Sequence, residues 1–187
     1  TLNNGQTITI SAGQTTGSTT FTNPNSEDVY IDNSTEIYTI TGITGGNYVS
    51  LDTSDSSVVT IEDTIDTVKV NLVATINKAT ENENGATITY TATIDGPAPK
   101  SDVTVSFIDF NGDTKEITIK APKPGETLTE FSGTVTSTYS NPDVYAEAKQ
   151  DLGVTDFTVA PGQGGYEKLV AGEVTSDISI TDTIDTV

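Results

Sequence analysis

Apolar and polar residues alternate along much of the chain, and a period of two predicts β-strands. Residues 86–94 show the pattern best, because Ala, Ile and Tyr alternate there with four Thr. Shorter runs of the same kind are 68–72, 103–107, 117–119 and 174–180, and they are separated by turn sequences such as Asn111-Gly112. Six or seven short strands at this spacing predict an all-β fold built of antiparallel, immunoglobulin-like β-sandwich modules.

Three sequence matches in the same order predict an internal repeat. Residues 7–10 (TITI) resemble residues 116–119 (EITI). The triplet Asp28-Val29-Tyr30 recurs identically at residues 143–145, and the hexapeptide DTIDTV occupies both 63–68 and 182–187. The spacing between matches grows from 109 to 119 residues, so we expect the second copy to carry longer loops.

The repeat also predicts the domain organisation. At the first spacing Thr1 corresponds to Phe110, which leaves residues 69–109 without a counterpart in the first copy. We therefore expect tandem modules, with residues 1–67 forming the C-terminal part of one β-sandwich repeat and residues 68–187 forming a complete one. The strands missing from the first module could lie on another chain, or residues 1–67 could form a smaller sheet.

The amino-acid composition excludes several classes of catalytic and metal-binding site. The 187 residues include 27 Asp and Glu, eight Lys and no Arg, for a net charge of −19, and they lack His, Cys, Met and Trp. Without His or Cys there is no Ser-His-Asp triad and no usual zinc, iron–sulfur or copper ligand set. The negative charge argues against nucleic acid as a partner, and no apolar run is long enough for membrane insertion. We expect neither enzyme activity nor a small-molecule substrate.

The acidic residues gather at strand ends, where equivalent positions of the two copies carry them. Carboxylate and carbonyl oxygens are the ligands of Ca²⁺, and crowded carboxylates repel each other without a cation. An ordinary solvated acidic rim is the alternative, but the recurrence favours a calcium site at each module junction. The candidate residues are Glu62, Asp63 and Asp66 with Asp182 and Asp185, then Glu27, Asp28 and Asp32 with Asp143 and Glu147, and Glu81 with Glu83.

Four stretches together resemble a known family: ATENENGATITYTATI, PGETLTEFSGTV, NPDVYAE and SDISITDTIDTV. They are similar to the tandem extender repeats of giant repeats-in-toxin (RTX) bacterial surface adhesins and, more distantly, to Calx-β domains. The resemblance implies calcium-binding β-sandwiches joined end to end and stiffened by Ca²⁺. The ligands it implies are Asp63 and Asp66 with Glu81 or Glu83 between the copies, Asp28, Asp32, Asp143 and Glu147 in nearby loops, and Asp182 and Asp185 toward the next module.

The function implied by this resemblance is that of a calcium-binding extender module in a secreted adhesin at the bacterial cell surface, acting in biofilm formation or host attachment. Its partners would be neighbouring repeats of the same chain, and its task would be to project a ligand-binding tip. Two alternatives stay open. The module could itself bind glycan, peptide or ice through threonine rows such as residues 87–93, or Asp63 and Asp66 could hydrolyse glycosides, although no cleft is indicated.

Overall fold

The computed structural model describes residues 1–23, 27–78, 85–141, 145 and 148–182. It divides into two compact units, Thr1–Thr64 (unit 1) and Ile65–Val187 (unit 2). The described residues contain strands and turns but no helix, which confirms the prediction of an all-β fold. A search of these residues for a helix long and apolar enough to cross a membrane finds none.

Eleven strands occur in the described residues. Unit 1 contains β1 and β2, and unit 2 contains the other nine. Their bounds are β1 Ser34–Thr39, β2 Ser56–Ile61, β3 Thr67–Ile76, β4 Ala86–Asp95, β5 Val103–Ile108, β6 Thr114–Ile119, β7 Ser132–Tyr139, β8 Gln150–Asp151, β9 Thr155–Val159, β10 Lys168–Thr175 and β11 Ser179–Ile180.

Unit 2 is a sandwich of two sheets. One sheet has the strand order β10-β3-β4-β7 and the other has the order β6-β5-β9, while β8 and β11 form a separate short pair. Neighbouring strands are antiparallel except β3 and β10, which are parallel. Tyr90 of β4 and Phe107 of β5 lie with their ring centroids 4.8 Å apart, so the two sheets share one core.

The alternation in the sequence decides which side chains enter this core. The apolar residues of β4 are buried, whereas the threonines between them are half-buried on the opposite face. Val103 and Phe107 of β5 face inward in the same way, as do Ile117 and Ile119 of β6. Each fully buried aliphatic or aromatic side chain contributes about 1.5–3 kcal/mol, so these strands supply most of the stability of unit 2.

Strands β6 and β7 belong to different sheets and approach closely at Gly133. A Cβ atom at this position would lie 2.7 Å from Cγ2 of Ile117 and 2.7 Å from the carbonyl oxygen of Thr118. Those separations are shorter than van der Waals contact, so only glycine fits. The glycine therefore fixes how near the two sheets come at this edge.

The described residues of unit 1 form a sheet but no buried core. Its strands β1 and β2 pair in antiparallel register from Ser34 opposite Ile61 to Thr39 opposite Ser56, and Leu2 forms an isolated bridge with Ile40. No described residue of unit 1 is buried. Its exposed large apolar side chains are Ile8, Ile10, Phe21, Ile31, Ile37, Ile40, Ile43, Tyr48, Val49, Leu51, Val58 and Val59.

Candidate functional site

The clearest gathering of acidic residues lies at one end of the β1–β2 pair. Because the strands are antiparallel, the residues before β1 meet those after β2. The backbone N–H of Asp32 donates to Oδ2 of Asp63 at 3.2 Å, and the N–H of Asp63 donates to Oδ1 of Asn33 at 2.9 Å. The hydroxyl of Thr64 donates to the carboxylate of Glu27. We call Glu27, Asp32, Asn33 and Asp63 the acidic end.

The acidic end is open to solvent on one side. Asp32 and Asp63 are half-buried, and Glu27 is exposed. Unit 1 contains no Lys or Arg, so no basic side chain of the unit balances these carboxylates. An open pocket borders the same end of the two strands and is lined by Asn33, Ser34, Thr35, Thr60, Ile61 and Glu62. A hydrated cation could therefore reach the acidic end.

Asp28, another predicted ligand, shapes a local turn. Its Oδ1 accepts a hydrogen bond from the backbone N–H of Tyr30 at 2.6 Å, a contact typical of an Asx-turn. Burial, with a smaller contribution from the negative charge of Asp28, raises the pKa of the Tyr30 phenol. The exposed carboxylate of Asp28 therefore stabilises the turn in which it lies.

In unit 2, Asp66 lies beside an acid that the sequence did not single out. The backbone N–H of Asp66 donates to the carboxylate of Glu167. The parallel register places Thr67 opposite Lys168, so the residues that precede β3 and β10 are neighbours. Asp182 follows β11 and is half-buried. Asp66 and Glu167 are therefore a pair of neighbouring acidic residues just before strands β3 and β10 of unit 2.

The other predicted ligands are not placed by the structure. Glu81, Glu83, Asp143, Glu147 and Asp185 all lie outside the described residues. Among the residues that are described, no three acidic side chains come together closely enough to hold a metal ion. The described ranges therefore contribute pairs of oxygen ligands, and a calcium shell of six to eight oxygens needs more.

A buried acid in unit 2 has a different character. The carboxylate of Asp109 accepts hydrogen bonds from the backbone N–H groups of Asn111 and Asp113, and from the Ser137 hydroxyl at 2.6 Å. Lys115 lies 3.5 Å from the same carboxylate. Burial alone would raise the pKa of Asp109, but these donors and the lysine charge outweigh it and hold the pKa below its ordinary value. A carboxylate satisfied in this way is structural.

The threonine rows named as a possible ligand-binding surface lie opposite each other in the sheet. Thr87, Thr89 and Thr91 of β4 face Thr138, Thr136 and Thr134 of β7 in register. Directly opposed threonines stabilise a sheet through cross-strand contact, which accounts for their presence. The glycan, peptide or ice alternative stays a prediction.

Comparison with known proteins gives one result. Residues 1–64 match the LapA domain. The matched residues are those of unit 1, which contains the acidic end. This similarity suggests an adhesin-related protein with a role at the cell surface. Neither a curated protein nor a solved structure matches the chain.

Proposed function

We propose that the chain is a calcium-binding extender segment of a large bacterial cell-surface adhesin. Its task is mechanical: Ca²⁺ at the module junctions stiffens a string of repeats that holds a ligand-binding tip away from the cell. The LapA similarity supports the adhesin part of the proposal. The acidic end, with Asp32 and Asp63 tied together in a unit that lacks basic residues, is the observation that supports calcium.

The described acidic residues are of the chemical type that binds a hard cation such as Ca²⁺, and they supply part of its oxygen shell. Asp32 and Asp63 would supply a pair of oxygen ligands in unit 1, and Asp66 with Glu167 would supply a pair in unit 2. A bound Ca²⁺ supplies positive charge that offsets carboxylate repulsion and ties together the segments that carry its ligands. The chain itself holds Asp63 in place through Asn33 and the N–H of Asp32, which orients the carboxylate before any ion arrives.

The magnitude follows from mass action. Extracellular calcium modules have dissociation constants of about 10⁻⁴–10⁻³ M. At about 2 mM Ca²⁺, a site with a dissociation constant near 10⁻⁴ M stabilises the folded form by about 2 kcal/mol. Binding at this strength is mostly saturated outside the cell and reversed by a chelator, as a calcium-stiffened extender requires.

The test compares melting temperatures with Ca²⁺ and with a chelator, for the full chain and two variants. Asp63→Asn keeps an oxygen that can accept from Asp32 while it removes the charge. Asp52→Asn is the matched control, because Asp52 is an exposed acid of unit 1 whose Oδ1 accepts a local hydrogen bond from the Ser54 N–H. We expect Ca²⁺ to raise the melting temperature of the wild type and of Asp52→Asn, and to raise it less for Asp63→Asn.

Stiffening needs its own measurement, since an ion can bind without changing the flexibility of the chain. Small-angle scattering of the full chain should give a narrower distribution of interatomic distances with Ca²⁺ than with a chelator. Identical melting temperatures and identical scattering under the two conditions would refute the proposed function.

A further inference from the structure

Two glycines show that unit 1 keeps part of the architecture of unit 2. A Cβ atom on Gly17 would collide with the carbonyl oxygen of Thr9 and lie 3.1 Å from Cγ2 of Ile8. The glycine of β7 at position 133 contacts the corresponding atoms of residues 117–118, which are the repeat counterparts of Ile8 and Thr9. Residues 7–10 therefore lie against the segment of Gly17 as β6 lies against β7.

A second pair of positions repeats the correspondence. Gly46 and Gly164 both have positive φ, 79° and 72°, and a Cβ on either would lie within 3 Å of a tyrosine ring two residues later. The tyrosine of unit 2, Tyr166, is 0% exposed and donates its hydroxyl to the carbonyl oxygen of Pro97 at 2.5 Å. Its counterpart Tyr48 is 71% exposed. The surroundings of this tyrosine are thus covered by the chain in unit 2 and exposed to solvent in unit 1. We call the exposed site around Tyr48 the bare corner.

The isoleucines at equivalent positions of the two copies also differ in exposure, and again those of unit 1 are the more exposed. Ile117 and Ile119 of β6 are 1% and 0% exposed, because they face the other sheet of the sandwich while β5 pairs with β6 at its side. Their counterparts in unit 1, Ile8 and Ile10, are 38% and 57% exposed. What unit 1 lacks at this place is a strand paired as β5 is with β6, and inner strands of a second sheet that face these isoleucines.

The missing strands are the inner ones of both sheets. In unit 2, β5 lies between β6 and β9, and β3 and β4 lie between β10 and β7. These three strands fall within residues 67–108, and residues 69–109 have no counterpart in unit 1. The described part of unit 1 thus lacks counterparts of the inner strands, and its own β1–β2 pair matches the separate β8–β11 pair of unit 2, which explains why its described residues form a sheet without a core.

We infer that unit 1 binds a set of three β-strands of the type formed by β3, β4 and β5, supplied by a further repeat of this kind. The strand in the β5 position would run antiparallel to residues 7–10, and the strands in the β3 and β4 positions would face their isoleucines from the second sheet. The segment before the β5 position would cover Tyr48. Strand addition of this kind draws affinity from main-chain hydrogen bonds and from pockets for alternate side chains. The inference is separate from the proposed function, because neither calcium nor adhesion enters it.

Charge and packing favour a further repeat over a second copy of this chain. Unit 1 carries eight acidic residues and no basic one, so two such units placed face to face would repel each other. Residues 68–108 contain three Lys and four acidic residues and are nearly neutral. Taking β3–β5 from a second copy would strip fully buried residues such as Leu72 and Tyr90 from that copy's own core.

The experiment fuses a second copy of residues 68–109 directly before Thr1 of the full chain. Because Phe110 is the counterpart of Thr1, this junction gives the fused segment and unit 1 the same order that residues 68–187 have in the second copy. Amide hydrogen exchange read by mass spectrometry compares this fusion with the unfused chain and with a fusion carrying the same residues in shuffled order. We expect exchange in residues 7–10 and 36–40 to slow by at least about tenfold, in the ordered fusion alone.

Further readouts distinguish a fusion that folds poorly from an inference that is wrong. The chain has no Trp, so Tyr48→Trp provides a single fluorescent probe at the bare corner, and its emission should shift to the blue in the ordered fusion. Unchanged exchange at residues 132–139, which occur once in the fusion, reports that unit 2 stays folded. Equal exchange in the ordered and shuffled fusions, with no blue shift, would overturn the inference. Protection of unit 1 that appears in the unfused chain as its concentration rises would overturn it in favour of a second copy.

Discussion

Replacing Asp109 by Asn tests whether a buried carboxylate stabilises unit 2. One oxygen of Asp109 accepts from the N–H groups of Asn111 and Asp113, both at 3.0 Å, and the other accepts from the Ser137 hydroxyl. The side chain is fully buried, with Lys115 at its edge. Asparagine keeps the size and one acceptor oxygen, so the substitution removes mainly the charge.

The expected loss is about 2–4 kcal/mol at pH 7. A hydrogen bond to a charged group is worth about 1.5–3 kcal/mol, against about 0.5–1.5 kcal/mol for a neutral pair, and three such bonds are weakened. The pKa of Asp109 is lowered in the folded state from an ordinary value of 3.8. Its contribution is therefore present above that value and is lost as the pH falls through the lower pKa of the folded state.

Urea unfolding followed by circular dichroism, at pH 7 and about pH 3, measures both effects. Asp102→Asn is the matched control: Asp102 also accepts hydrogen bonds, from Lys120 at 2.7 Å and from the Ala121 N–H at 3.0 Å, but on the exposed surface. Solvent screens such a surface pair, so we expect a smaller loss from the control. The reasoning is wrong if Asp109→Asn costs no more than Asp102→Asn at pH 7, or if its cost does not shrink near pH 3.

Three further predictions concern the core of unit 2. Gly133→Ala should lower the free energy of unfolding by about 1–3 kcal/mol, because its Cβ would overlap β6; calorimetry should show no such loss for Gly153→Ala, whose Cβ would have 4.0 Å to Ser176 Oγ. Burial raises the pKa of Tyr90 from 10.0 to about 12, so the unfolded chain should ionise first and stability should fall between pH 10 and 12. An ultraviolet absorbance titration in which every tyrosine ionises together near pH 10 would contradict this. Tyr166→Phe removes the hydrogen bond to Pro97 and should cost about 1 kcal/mol in a urea titration, whereas an unchanged midpoint would assign that bond no net effect.

Strands β3 to β6 of unit 2 were predictable because each alternates buried and more exposed side chains, whereas β7, β8 and β9 were not predicted and the run 174–180 is divided between β10 and β11. Ile88 and Tyr90 alternate with threonines, and an alternation of this kind fixes both the strand and the side that enters the core. The parallel pairing of β3 with β10 was not predictable, because it joins segments about a hundred residues apart. For that reason the sequence gives no sign that Glu167 lies beside Asp66.

The sequence likewise does not indicate which single acidic residues are buried. Asp109 and Asp113 flank the same Asn-Gly turn and look alike in the sequence, yet the first is buried and the second is largely exposed. Position relative to β7, which supplies Ser137, makes the difference. The predicted strand-end location of Asp32 and Asp63 is confirmed, because they lie just before β1 and just after β2, which pair in antiparallel register.

Calorimetric titration of the full chain with Ca²⁺ tests the proposed calcium role most directly. We expect saturable binding with a dissociation constant of about 1 mM or tighter, weakened at least about tenfold by Asp63→Asn and unchanged by Asp52→Asn. A chain that takes up no Ca²⁺ at about 5 mM, or that binds it equally well after Asp63→Asn, would contradict the assignment of the acidic end as a calcium site.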